Sequence, residues 1–197
     1  MNLLGIDLGT SSVKVLITDG EGGILSRGSA GYPMRTPQPG WVEQAPEEWW
    51  QATVLAVRQA LSGLEGEPGL SAIGLSGQMH GTVLLDSKDQ LLGPAIIWPD
   101  QRSSRQVDEI TALVGKERLI KTTGSIAATG FQAATLRWMQ QNKQQDWAKT
   151  RWVLLPKDYL RWRLCDRFAT DPSDAAGTGL LDGERRTLSL IHISEPT

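Results

Sequence analysis

The sequence predicts an α/β layered domain with a mixed β-sheet flanked by helices. Three observations carry that reading. Three β-rich runs follow one another at the N-terminus with only short turns between them. Strand and helix signals then alternate along the chain. The first helical segment keeps its apolar residues on one face, as a helix laid on a sheet must.

The elements follow in order. LLGID (3–7) and VKVLITD (13–19) are strands joined by the short loop LGTSS, and DGEGG (19–23) turns the chain into ILSRGSA (24–30). These three form an antiparallel meander. Pro33, Pro37, Pro39 and Gly40 mark an irregular loop leading to WVEQ. Pro46, Glu47 and Glu48 open a helix, because proline suits the first turn and carboxylates favour the positive end of the helix dipole. Trp50, Val54, Val57, Leu61 and Leu64 share one helical face and are expected to cover the sheet. LSAIGLS (70–76) and TVLLD (82–86) are the next strands, with GQMHG between them, and SKDQ turns the chain into LLGPAIIW (91–98). Residues 101–145 read as helical, broken at TTGSIAATG, with Phe131, Thr135, Trp138 and Met139 on or near one face. RWVLLP (151–156) reads as a buried strand, KDYLRWRL as a short helix and ATDPSDAAGTG as a loop.

Charge and composition exclude several classes of function. With 20 basic against 22 acidic side chains and no basic run, the chain has neither a nucleic-acid footprint nor a polybasic membrane patch. A phosphate held by backbone amides would leave no basic signature, so a nucleotide ligand stays open. The single cysteine, Cys165, makes no internal disulfide, and no apolar run reaches membrane-spanning length. A cytoplasmic protein is expected. No GxGxxG or GxxxxGK[ST] occurs, which disfavours dinucleotide-binding and P-loop enzymes. The eight tryptophans are expected in the core and between helices, with Trp98 the exception.

Four stretches carry candidate chemistry. In IDLGTSSVKV, Asp7 ends a strand, and Gly9, Thr10 and Ser11 form a tight connection that can point backbone N–H groups and two hydroxyls at a phosphate. Asp7 could hold a Mg²⁺ through water. From the residues alone, a plain hairpin is an equal alternative. GQMHG places Met79 and His80 between glycines at a strand end, where backbone can approach a ligand. IIWPDQR puts Trp98, Asp100 and Arg102 at another strand end, able to bind a polyol or to form a surface ion pair. The fourth is LLPKDYL followed by ATDPSDAAGTG.

Taken together and in order, from about Leu3 to Asp182, these stretches resemble the FGGY family of carbohydrate kinases, and within it the xylulokinases. IDLGTSSVK is similar to the family's first phosphate loop, and WVEQAPEEWW to its entry into the first helix. GQMHG is the most specific element, and LLPKDYLRWRL and TDPSDAAGT complete the match. The resemblance implies the N-terminal lobe, here truncated, of the actin-like/ribonuclease H-like fold shared by sugar kinases, Hsp70 and actin. It implies that Met79 and His80 line the sugar pocket, with Asp100 close to the sugar. The imidazole would hydrogen-bond a hydroxyl and the methionine would wall the carbon chain. Without the resemblance, His80 reads as a core or capping residue. Asp7 carries over as the residue near metal and transferring phosphate, with Gly9, Thr10 and Ser11 as the nucleotide phosphate loop. Lys157 and Asp158 are expected to fix local structure, and Asp171 and Asp174 to accept loop hydrogen bonds.

The reaction implied is transfer of the ATP γ-phosphoryl group to the C5 hydroxyl of D-xylulose, with Mg²⁺ as cofactor and a homodimer as an assembly for the full-length form. In the family the general base is an Asp of a GGGD-type segment, and no such segment occurs in these 197 residues. The chain by itself is therefore expected to be inactive. Two positions depart from the family pattern: Pro99, where many members have Asn, and Thr135, where many have Lys. D-ribulose or another sugar stays open as substrate, as does a non-catalytic sugar- or nucleotide-binding role. Residues 188–197, LSLIHISEPT, match the translated read-through of a sequencing adapter, and His192 is set aside with them. Residues 1–187 are expected to be the lobe, cut short near Thr187.

Overall fold

The computed structural model describes residues 1–188. Apart from Leu188, the segment read as adapter, with His192, lies outside the described residues. The chain divides into two compact units, each assembled from three segments.

The first unit holds residues 1–34, 44–78 and 156–168. Its strands β1 (Asn2–Leu8), β2 (Ser12–Thr18) and β3 (Ile24–Gly31) form the expected meander. The two-residue strand β4 (Glu43–Gln44) lies where the chain re-enters the unit, and helix α1 (Pro46–Ser62) follows it. Strand β5 (Leu70–Gly77) then adds parallel to β1, giving a mixed sheet in the order β3-β2-β1-β5. Alternation decides the faces. Leu4, Ile6, Leu8, Val13, Val15 and Ile17 point to the buried side, while Leu3, Asp7, Lys14 and Leu16 point away from it.

Helix α1 covers the buried side with a different stripe from the expected one. Trp49, Ala52, Thr53, Ala56 and Ala60 are buried, whereas Trp50, Val54, Val57, Leu61 and Leu64 are only half-buried. The reason is close approach. A Cβ on Gly28 of β3 would lie 1.9 Å from the Ala56 carbonyl oxygen, so helix and strand backbones nearly touch and only small side chains fit between them.

The second unit holds residues 35–43, 79–155 and 169–188 of the described chain. Its strands are short: β6 (Val83–Leu85), β7 (Ala95–Ile96), β8 (Trp152–Leu154), β9 (Leu181–Asp182) and β10 (Thr187–Leu188). β6 pairs with β8 and β9 with β10, both antiparallel. Helices α2 (Ser104–Val114), α3 (Lys116–Thr123), α4 (Gln132–Asn142) and α5 (Gln144–Lys149) fill the region read as helical. Helix α6 (Pro156–Cys165) belongs to the first unit. The stretch read as a loop contains the short helix α7 (Pro172–Ala176), because Asp171 caps it by accepting from the Ser173 and Asp174 amides. One core joins Leu84, Ile96, Trp138 and Met139, with Trp41 set edge-on against Trp138. Another joins Ile110, Leu119 and Ala134. Among the described residues no helix is long and apolar enough to cross a membrane.

Candidate functional site

In the first unit, the β1–β2 turn carries Asp7, Gly9, Thr10 and Ser11. Asp7 sits opposite Lys14 of β2 and Ser76 of β5, on the exposed side of the sheet. The turn is closed by a hydrogen bond from the Gly9 amide to the Ser12 carbonyl, 3.1 Å. Tyr32, a residue that the sequence did not single out, grips the turn twice. Its hydroxyl donates to the Gly9 carbonyl and its amide to the Ser11 carbonyl, the latter at 3.2 Å. Burial first, and then the negative charge of Asp7, push the Tyr32 phenol far above its usual range. It is a hydrogen-bond donor under any ordinary condition.

In the second unit, Met79 is exposed and His80 is half-buried. His80 adopts φ = 65°, a left-handed conformation that costs a non-glycine residue roughly 1–2 kcal/mol. Three groups hold it there. Its Nδ1 lies 2.6 Å from the Gly177 carbonyl oxygen, and its ring stacks on Phe131 with centroids 4.1 Å apart. The Gln132 side-chain amide donates to the Gly81 carbonyl at 2.9 Å, pinning the next peptide. A carbonyl can only accept, so Nδ1 carries the proton; in the neutral ring Nε2 is then the acceptor. Gly177 leaves room for the ring at this point, since a Cβ there would stand 2.9 Å from His80 Nδ1 and the ring would have to shift. The sequence marks Phe131 only as one residue of a helical face and Gly177 only as part of TDPSDAAGT, and it does not single out Gln132. Their roles beside His80 rest on contacts tens of residues away in the chain.

Asp100, also in the second unit, has its carboxylate fully engaged. It accepts from the Val42 amide at 2.6 Å, from the Arg102 amide at 2.9 Å, and from Arg102 Nε and Nη2. Arg102 extends on to Glu43 at 2.8 Å and lies 3.8 Å over the Trp41 ring. The pair is not at the surface: the side chains of Asp100 and Arg102 are 1% and 3% exposed. Among the described residues, Asp100 and His80 share no hydrogen-bond partner. Trp98, by contrast, is exposed. Lys157 and Asp158 pair with each other at 2.5 Å in the first unit.

Chemically, the arrangement offers an exposed carboxylate beside a turn with fixed carbonyls, and, in the other unit, an imidazole with one nitrogen committed. Among the described residues no three His, Cys, Asp or Glu side chains cluster as metal ligands.

Comparison with known proteins identifies the chain. Over 186 residues it is 42% identical to the xylulose kinase of Escherichia coli (strain K12), covering 94% of this chain and 38% of that protein. A crystal structure of a xyloylose kinase from Brucella ovis superposes with a TM-score of 0.94 at 39% identity, over 98% of this chain and 40% of that one. A Plasmodium falciparum glycerol kinase with ADP superposes with a TM-score of 0.85 at 25% identity, over 95% of this chain and 39% of the other. The chain thus spans about two fifths of the length of these relatives, and its mixed sheet with flanking helices is the actin-like fold of sugar kinases. Residues 2–189 match the N-terminal domain of the FGGY carbohydrate kinases, and the chain belongs to that family.

Proposed function

We propose that the chain is the N-terminal part of a kinase that transfers the γ-phosphoryl group of ATP to the C5 hydroxyl of D-xylulose. The observation that carries the sugar assignment is the His80–Gly177 hydrogen bond, which leaves Nε2 as an acceptor for a sugar hydroxyl. Exposed Met79 supplies an adaptable apolar wall for the carbon chain. The 42% identity to a xylulose kinase supports the ketopentose, and the glycerol kinase with ADP supports the nucleotide.

In the transfer the sugar oxygen bonds to the γ-phosphorus as the bridging bond to ADP breaks. The hydroxyl proton passes to a carboxylate that these 197 residues do not supply, since they hold no GGGD-type segment. Residues 9–11 bind the phosphates through backbone amides. Mg²⁺ neutralises phosphate charge in such reactions, and a lone exposed carboxylate, Asp7, suits an ion that keeps several waters and takes other ligands from the nucleotide. Asp100, buried and bonded to the Val42 amide and to Arg102, holds the Trp98–Arg102 segment in place beside the sugar pocket. The lone exposed Cys165 fits a cytoplasmic setting.

The test is steady-state kinetics on the full-length protein with D-xylulose and D-ribulose side by side. ATP-dependent turnover that favours D-xylulose and is abolished in Asp7→Ala supports the proposal. A preference for D-ribulose, which the Pro99 departure leaves open, would move the substrate. Turnover by the 197-residue chain alone would overturn the assignment of the base to an absent segment.

A further inference from the structure

The turn at residues 9–11 is held in one orientation by side chains that no motif assigns to it. Gln44 is fully buried, at 0% exposure, and its Nε2 donates to the Thr10 carbonyl at 2.7 Å. Its Oε1 accepts from Trp49 Nε1 at 3.1 Å and from Gln78 Nε2 at 2.9 Å. The polarity of this network admits one arrangement. The Thr10 oxygen and the Trp49 indole each have a single role, acceptor and donor, so the Gln44 amide cannot be flipped. Gln78 must then present its NH₂ group, because the reverse would set two oxygens face to face. It does so although its own Oε1 is buried without a hydrogen-bond partner. The Gln78 backbone N–H donates to the Leu8 carbonyl at 2.6 Å, which ties the network to the end of β1.

With Tyr32 included, the three successive carbonyls of Gly9, Thr10 and Ser11 are all taken up by the protein. A trans peptide is planar, and its N–H points opposite to its C=O. Anchoring the Gly9 and Thr10 carbonyls therefore sets the direction of the Thr10 and Ser11 amides, away from the side that holds Gln44 and Tyr32. Successive amides with a fixed direction are what an anion-binding nest requires.

We propose that Gln44, oriented by Trp49 and Gln78, and Tyr32 are positioning residues that hold the 9–11 turn in its phosphate-binding form. The inference rests on reading that turn as the phosphate loop, and it assigns a purpose to the Gln of WVEQ and the Gln of GQMHG. Gln44 acts on the turn through the Thr10 carbonyl, and Gln78 acts through Gln44.

The test uses full-length protein with Gln44→Met, which keeps side-chain length and removes both polar groups, and Tyr32→Phe, which removes only the Gly9 anchor. Two readouts are taken: amide hydrogen exchange over residues 8–13, and KM for MgATP against KM for the sugar. The expected result is faster exchange confined to that segment and a KM for MgATP raised about tenfold in Gln44→Met, with the sugar KM within about twofold. Tyr32→Phe should shift both readouts in the same direction by less, and it carries the test if Gln44→Met does not fold. Unchanged exchange in the folded variants overturns the inference, as does a fall in kcat with both KM values unaltered. Should the wild type phosphorylate no sugar with ATP, the kinase reading fails. The exchange result then decides by itself whether these residues hold the turn.

Discussion

His80 and Gly177 lie 97 positions apart, yet the histidine Nδ1 and the glycine carbonyl oxygen are 2.6 Å apart, and the missing Cβ of Gly177 makes that contact possible. One hydrogen bond thus selects the tautomer of the ring proposed to meet the sugar. Gly177→Ala would set a methyl 2.9 Å from Nδ1 and 3.0 Å from Cε1 and displace the ring. In the full-length enzyme we expect kcat/KM for D-xylulose to fall about 10–100-fold in both Gly177→Ala and His80→Ala, the equivalent of one hydrogen bond to substrate. The KM for MgATP should stay close to that of the wild type. Wild-type sugar kinetics in Gly177→Ala would show that the ring does not need this support.

The Asp100–Arg102–Glu43 cluster makes a different kind of prediction. Removing one partner from a buried ion pair leaves an uncompensated charge and costs about 3–5 kcal/mol. Arg102→Leu, which strands both carboxylates, should therefore show a large loss in urea denaturation. Asp100→Asn should also lose stability while the folded enzyme keeps its sugar KM. A tenfold rise in sugar KM with unaltered melting would instead place Asp100 against the substrate.

The chain has two tyrosines, Tyr32 and Tyr159, and burial is the largest cause raising the phenol of each above its usual value near 10. Above about pH 10 the unfolded chain sheds these protons while the folded chain retains them, so stability falls as pH rises. Below pH 10 both states keep the protons and the contribution is complete. A phenolate absorbance titration should accordingly show no tyrosine ionising near pH 10 until the protein unfolds. In Tyr32→Phe the alkaline loss of stability should be shallower. A normal titration of either tyrosine in the folded protein would contradict the burial argument.

Strand β5 is an edge of the four-stranded sheet, and Leu70 and Ile73 on it are exposed, as are Leu3 on the adjacent β1 and Leu16 on β2. An unprotected apolar edge templates pairing with other chains. The 197-residue chain is expected to self-associate at micromolar concentration, and Ile73→Lys should reduce this, as read by light scattering after size-exclusion chromatography. A wild-type chain that elutes as a soluble monomer and melts cooperatively would refute the expectation.

Much of this was legible beforehand, for reasons that differ between elements. The meander and the start of α1 follow from period-two alternation and from Pro46 with two acidic residues, both local signals. The buried stripe of α1 departs from the expected one because hydrophobicity favours Trp50, Val54 and Val57, whereas the approach of Gly28 demands the smaller Ala52, Ala56 and Ala60. LSAIGLS forms a strand as expected, and what its residue types leave unsaid is its position at a sheet edge, where most of β5 is exposed.

What the sequence determined by itself was the set of motifs: a hydroxyl-rich turn after Asp7, Met79 and His80 between glycines, and enough of their order to point to a family. Those are properties of residue type and spacing along the chain. The tertiary structure decided how each group is used. It committed His80 Nδ1 to Gly177, withdrew Asp100 into a buried pair with Arg102, and fastened the turn through Gln44 and Tyr32. The physical reason is that a polar side chain's availability depends on which donors and acceptors surround it. Gly177 lies 97 positions from His80, Gln44 lies 34 from Thr10, Tyr32 lies 23 from Gly9, and the Val42 amide that also binds Asp100 lies 58 from it. Over such distances a linear pattern carries no trace of contact; only Arg102 is a near neighbour of its partner.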